Sequence, residues 1–240
     1  MSITSIVQNE IAHFEPGKLF TYRDIPTYRL SPDSTIKTMG KLVKAGEVRR
    51  FSKGNFYRPK QGIFGELRPS DSEKIKNLLY KNGKLAGYVT GLSLYNRLGL
   101  TTQVPGTVTI ATEKARQVKN FGNMVVRMVP ARAPVSAKNL PALEFLDALA
   151  DIRFIPDATP SESLRKLMVI LQARDRVALK KLIELALDYY APSTKALLGL
   201  ALDITGVADS LRLYESMNVT TRYKIGIDEW PLATKKWNIE

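Results

Sequence analysis

Residues 30–58 leave the backbone few choices. Ser31 is a good helix N-cap, Pro32 suits the first helical position, and Asp33 complements the positive helix end. Ile36, Met39, Leu42 and Val43 recur at helical spacing as an apolar stripe, and Gly46 is placed to end the helix in the left-handed conformation. Val48–Phe51 and Asn55–Arg58 then flank Ser52-Lys53-Gly54, two short β-prone runs about a glycine turn, which predicts a hairpin. Upstream, Ile3, Ile6, Val7, Ile11 and Phe14 predict an amphipathic first helix over 3–14, stopped by Glu15-Pro16-Gly17. A short piece around Leu19-Phe20 leads to a one-turn helix from Thr21 that must end before Pro26. The order helix, short helix, helix, basic hairpin is that of a winged helix-turn-helix over residues 1–60.

The chain continues as two further stretches, so the expected class is α+β. Residues 61–136 read as a small α/β unit. Ser70 and Glu73 form a capping-box pattern for a helix carrying Ile75, Leu78 and Leu79. Another helix is expected over about 91–98, and 107–111 and 124–129 read as strands. Residues 131–136 look like a linker. Beyond it, residues 137–240 form a mainly helical domain, with helices at about 140–150, 161–172, 175–190, 193–205 and 208–217.

Several chemistries are excluded by what the chain lacks. It has no cysteine, so disulfides, thiolate metal sites and cysteine nucleophiles are out. Its single histidine, His13, sits beside Phe14 on the first helix and reads as a packing or surface residue. There is no glycine-rich phosphate loop, no metal-ligand spacing and no nucleophile motif. The carboxylate pairs Asp203 with Asp209 and Asp228 with Glu229 have no base or nucleophile nearby, and read as a solvated face. No catalytic residue, cofactor or metal is therefore expected. No apolar run approaches the ~18 residues of a membrane span, and the N-terminus lacks a basic leader segment, so the chain reads as soluble and cytoplasmic, with no membrane partner.

Charge carries the functional information. The net charge is +13. Residues 1–60 hold 11 basic and 5 acidic side chains, 61–136 hold 11 and 4, and 137–240 hold 14 and 14. The whole excess lies in the first 136 residues, where it attracts phosphate. In a winged helix the second long helix enters the major groove, and Ser34, Thr35, Lys37, Thr38 and Lys41 are the side chains it would present. The hairpin supplies Arg49, Arg50, Lys53 and Arg58 for phosphate or minor-groove contact, with Lys60 just beyond. Strict alternation puts Arg49 and Phe51 on one hairpin face, so one of the two neighbouring arginines is expected to pack or face solvent. The partner implied is double-stranded DNA.

Residues 30–48 (Leu-Ser-Pro-Asp-Ser-Thr-Ile-Lys-Thr-Met-Gly-Lys-Leu-Val-Lys-Ala-Gly-Glu-Val) and 50–59 (Arg-Phe-Ser-Lys-Gly-Asn-Phe-Tyr-Arg-Pro) resemble the N-terminal winged helix of AbiEi-type antitoxins. The stretch Thr90 to Pro105, leading to Val108-Thr-Ile-Ala-Thr112, is similar to the segment that follows it in that family, where a turn precedes a strand. Ala196-Leu-Leu-Gly199, Tyr223-Lys-Ile-Gly226 and Trp237-Asn-Ile239 also resemble members. The resemblance is dense over about 18–130. It implies the first protein of a type IV toxin–antitoxin operon, associated with phage defence. Its winged helix would bind inverted repeats in its own promoter and repress it, and its C-terminal part would counter a nucleotidyltransferase-like toxin. By position, Ser34, Thr35, Lys37, Thr38, Lys41, Arg49, Arg50, Lys53 and Arg58 become the DNA contacts, and residues 137–240 the antitoxin part. Gln103 and Pro105 read as a turn supporting the next strand. Two readings from other classes stay open: a nucleic-acid-processing enzyme targeted by the winged helix, and a protein-interaction adaptor.

Overall fold

The computed structural model describes residues 2–63, 65–113, 116–122, 124–218 and 220–240. Helix (48%) and strand (19%) are mixed, so the class is α+β. The chain divides into two compact units, Met1–Leu78 and Leu79–Glu240.

In the first unit, α1 (Ile3–Ala12) precedes β1 (Leu19–Thr21), two 3-10 turns (Tyr22–Asp24 and Pro26–Arg29), α2 (Pro32–Ala45), β2 (Arg49–Ser52), β3 (Asn55–Tyr57), β4 (Lys60–Gly62) and β5 (Gly65–Leu67). Helix α3 (Asp71–Leu79) ends it. The three-stranded sheet runs β1-β3-β2, antiparallel throughout, with Phe56 opposite both Phe20 and Arg50. Strand β1 is too short to carry a period of its own and becomes a strand by pairing with β3. Val7 and Ile11 of α1, Met39 and Leu42 of α2, and Phe20, Ile25, Val48 and Phe56 form its core. The Glu10 carboxylate accepts hydrogen bonds from the Thr27 hydroxyl (2.8 Å) and backbone N–H (3.3 Å), which fixes the 3-10 turn against α1 and so sets where α2 begins.

The helix stop expected at Gly46 is present, with φ +80°. The capping box at Ser70 is half formed. Ser70 Oγ accepts the Glu73 N–H (3.2 Å), but the Glu73 carboxylate turns to the Leu19 N–H (3.1 Å) and ties α3 to β1. That bond, and another between Arg49 and Glu66, hold residues 61–78 to the first unit, past the boundary expected at residue 60.

The second unit opens with the short hairpin β6 (Tyr80–Lys81) and β7 (Lys84–Leu85), then β8 (Gly87–Thr90), α4 (Leu92–Arg97), β9 (Thr107–Thr112), β10 (Gln117–Phe121) and β11 (Met124–Pro130). Its four-stranded sheet runs β10-β11-β9-β8, with β11 and β9 parallel and the other pairs antiparallel. Helices α5 (Leu140–Ala150), α6 (Pro160–Gln172), α7 (Arg176–Tyr189), α8 (Pro192–Thr205), α9 (Leu211–Glu215) and α10 (Pro231–Lys236) follow. Tyr88 and Ala111 of the sheet share one apolar core with these helices, so the break expected at 136/137 falls inside the unit.

A polar network crosses the same division. Asp147 of α5, 3% exposed, accepts hydrogen bonds from Tyr88 (2.8 Å), Thr90 (2.9 Å), Tyr190 (2.9 Å) and Arg132 (2.9 Å). Arg132 also donates to Asp151 (2.7 Å), which accepts from Tyr95 (2.9 Å). At the far end, fully buried Trp237 stands against Gly199 of α8 so closely that a methyl group there would overlap its ring. Its indole N–H donates to Asp203 (2.8 Å), as does Lys236 (2.6 Å). Asp228 bonds Ser161 (2.5 Å) and Glu229 pairs with Arg165. Of the two carboxylate pairs expected on a solvated face, these three members are instead ties that fasten residues 228–237 to α6 and α8.

Candidate nucleic-acid interface

The expected interface residues separate into three groups. Lys37 and Lys41 lie exposed on α2, with Ser34 half-buried on the same side. Lys44, three residues past Lys41 and seven past Lys37, continues the stripe in the last turn. The 3–4 spacing of these lysines is visible in the sequence and is the signal by which Lys44 belongs with the others. Arg50 and Lys53 are exposed on the hairpin that follows, Arg50 with its guanidinium carbon 5.7 Å from the Phe56 ring centre. Among the described residues, none of these five cations takes part in an ion pair.

Thr35 and Thr38 do not reach a surface, which corrects their expected place among the groove-facing residues. They are 0% and 3% exposed, and their hydroxyls donate to the carbonyls of Ser31 and Ser34 (both 2.8 Å). A threonine that satisfies its hydroxyl on the preceding turn buries its methyl at little cost. The apolar stripe of α2 is therefore Thr35, Thr38, Met39 and Leu42, and Ile36, expected inside, is 42% exposed.

Arg49 and Arg58 each bond to a partner within the protein, Arg49 while staying exposed. Arg49 pairs with Glu66 of β5 (3.2 Å), whose other oxygen accepts the Tyr57 hydroxyl (3.1 Å). Burial, and next that bond, push the Tyr57 hydroxyl above its ordinary pKa. Arg58 donates to the carbonyls of Ala12 (2.5 Å) and Phe14 (2.7 Å), closing the C-terminal end of α1, where a cation is favoured. Arg58→Ala is expected to cost the first unit about 1–2 kcal/mol in urea unfolding, with the salt dependence of any DNA binding unchanged. A reduced salt slope with unaltered stability would return Arg58 to the surface.

His13 is the C-cap of α1, exposed, with Nδ1 2.7 Å from the Asn9 carbonyl oxygen. Gln103 lends its carbonyl to the Asn96 side chain (3.1 Å) and its N–H to Thr101 Oγ1 (3.2 Å), which makes its stretch the turn between α4 and β9. Among the described residues no group of acidic or histidine side chains could hold a metal ion, and no helix is long and apolar enough to cross a membrane.

A family of unknown function, DUF6088, matches residues 6–144. The chain belongs to that family. The matched span takes in the whole α2–hairpin segment, the four-stranded sheet and the first part of α5, and stops short of α6. No curated protein matches the chain. The crystal structure of the RV2827C protein from Mycobacterium tuberculosis has a similar fold, with a TM-score of 0.50 and 14% identity over 98% of this chain and 89% of that one.

Proposed function

We propose that the first unit is a winged helix-turn-helix and that the chain is a DNA-binding transcriptional repressor that binds inverted repeats in its own promoter. The observation that carries this reading is a set of five cations that make no ion pair among the described residues. Lys37, Lys41 and Lys44 line one long helix, and Arg50 and Lys53 stand on the hairpin directly after it. Phosphate contacts of this kind place a protein on duplex DNA, and side chains near the start of the groove helix read bases. The test is footprinting on the DNA upstream of its own gene, beside shuffled duplex, across a salt series. Protection of an inverted repeat at physiological salt is expected. Equal, salt-labile binding to every duplex would overturn the reading.

On the resemblance to AbiEi-type antitoxins, the proposal extends to residues 137–240 countering a nucleotidyltransferase-like toxin made from the same operon. Producing that toxin with either the full chain or a K37Q/K41Q variant separates the roles. Growth rescued by both chains supports the antitoxin reading, and rescue by neither overturns it.

A further inference from the structure

Gly40 sits in the middle of α2, a 14-residue helix, where glycine is the least favourable residue after proline. Among the described residues, no neighbour outside its own helix requires it there. It is exposed, and a Cβ added at Gly40 would meet no atom within 4 Å. It does not end the helix, since that is the work of Gly46. At 3.6 residues per turn, Gly40 lies one turn after Ile36, nearly opposite Leu42, with Lys37, Lys41 and Lys44 all to one side of it. The lysine stripe thus has a bare stretch of backbone along one side, with an exposed isoleucine one turn before it.

A face that is cationic along one side and flat and apolar along the other can set its cations on the phosphates of one groove edge while its bare side meets the groove floor. Phosphates lie at the groove's two edges, and the thymine methyl group is the apolar feature of its floor. Resting on the DNA-binding reading above, we infer that Gly40 is the point where the α2 backbone comes closest to the base pairs, and that Ile36 packs on a thymine 5-methyl group there. Gly40 sets the depth of the helix in the groove. Ile36 makes one step of each half-site specific for an A·T pair in one orientation.

The probe is the duplex that the wild-type full chain enriches from a random 20-base-pair library. G40A is expected to raise the melting temperature by about 2–4 °C, because alanine replaces glycine at an unhindered helical position, and at the same time to weaken binding at least tenfold, with G40Q weaker still. One thymine-to-uracil change in the enriched duplex is expected to weaken wild-type binding about fourfold, the worth of a buried methyl group, and to leave I36A binding unaltered. G40A binding within twofold of wild type would overturn the inference, as would a G40A chain that melts lower, since the glycine would then serve the fold. A uracil scan in which no position couples to Ile36 would overturn the assignment of the thymine. If the library enriches no duplex at all, it is the DNA-binding reading that falls.

Discussion

Asp147→Ala is expected to cost the second unit about 3–5 kcal/mol, seen as a lower urea midpoint at unchanged slope. The carboxylate is buried and takes four hydrogen bonds, three from the hydroxyls of Tyr88, Thr90 and Tyr190 and one from Arg132. Its removal leaves the donors of two sheet residues and one helix-end tyrosine with no acceptor, and leaves Arg132 with only Asp151. Burial works against the Arg132 charge, and the two carboxylates outweigh it, holding the guanidinium protonated above its ordinary range. Tyr88→Phe should cost far less, about 1 kcal/mol, because Asp147 keeps three donors. Alanine and phenylalanine variants of equal stability would show that the network contributes no more than its packing.

The same network makes the unit alkali-sensitive. Burial, and next the Asp147 carboxylate, raise the Tyr88 and Tyr190 hydroxyls above the ordinary value of 10.0, and burial with Asp151 does so for Tyr95. In the unfolded chain all three titrate near 10. The folded chain therefore holds protons that the unfolded chain releases. Stability is complete below about pH 10 and falls as pH rises beyond it, by up to about 4 kcal/mol per pH unit for three protons. Circular dichroism should show a steep cooperative loss above pH 10, coincident with the late fraction of tyrosinate absorbance. Ionisation of every tyrosine in one ordinary step, ahead of unfolding, would contradict the buried placement.

Why the sequence speaks clearly at some positions and not at others follows from the range of each interaction. Pro32, Gly46 and the Gly54 turn act on their own neighbours, so α2 is legible with its ends and the hairpin to within one residue at each strand end. The rotation of α2 is not, because a hydropathy stripe counts Ile36 as apolar and Thr35 as polar, while the helix lets Thr35 and Thr38 satisfy themselves and go inside. Arg49 and Arg58 look like unpartnered cations until the chain folds back. Their partners, Glu66, Ala12 and Phe14, lie 17, 46 and 44 residues away. Asp147 gives one local hint, a carboxylate within the otherwise apolar run Phe145 to Ala150, but its donors come from residues 88, 90, 132 and 190. Local chemistry thus names the elements, and only tertiary pairing decides which of the nine expected contacts remain outward.

That sorting fixes the outcome of a charge-removal experiment. K37Q/K41Q/R50Q/K53Q is expected to lose duplex affinity about a hundred- to thousandfold at physiological salt, and the slope of log K against log salt should become shallower by about 3.6, at about 0.9 per phosphate contact. Stability should change little, because none of the four side chains makes an ion pair among the described residues and only Arg50 touches the core, at Phe56. R49Q/R58Q carries the opposite expectation: lower stability from the lost Glu66 pair and α1 cap, and an unchanged slope. If phosphate contact followed charge alone, each arginine would lower the slope as a lysine does, and the two variants would differ only in number. A slope that falls equally per residue in both would therefore refute the division of the cations drawn here. A slope that moves only in the first places the DNA on the α2 face and the tip of the β2–β3 hairpin.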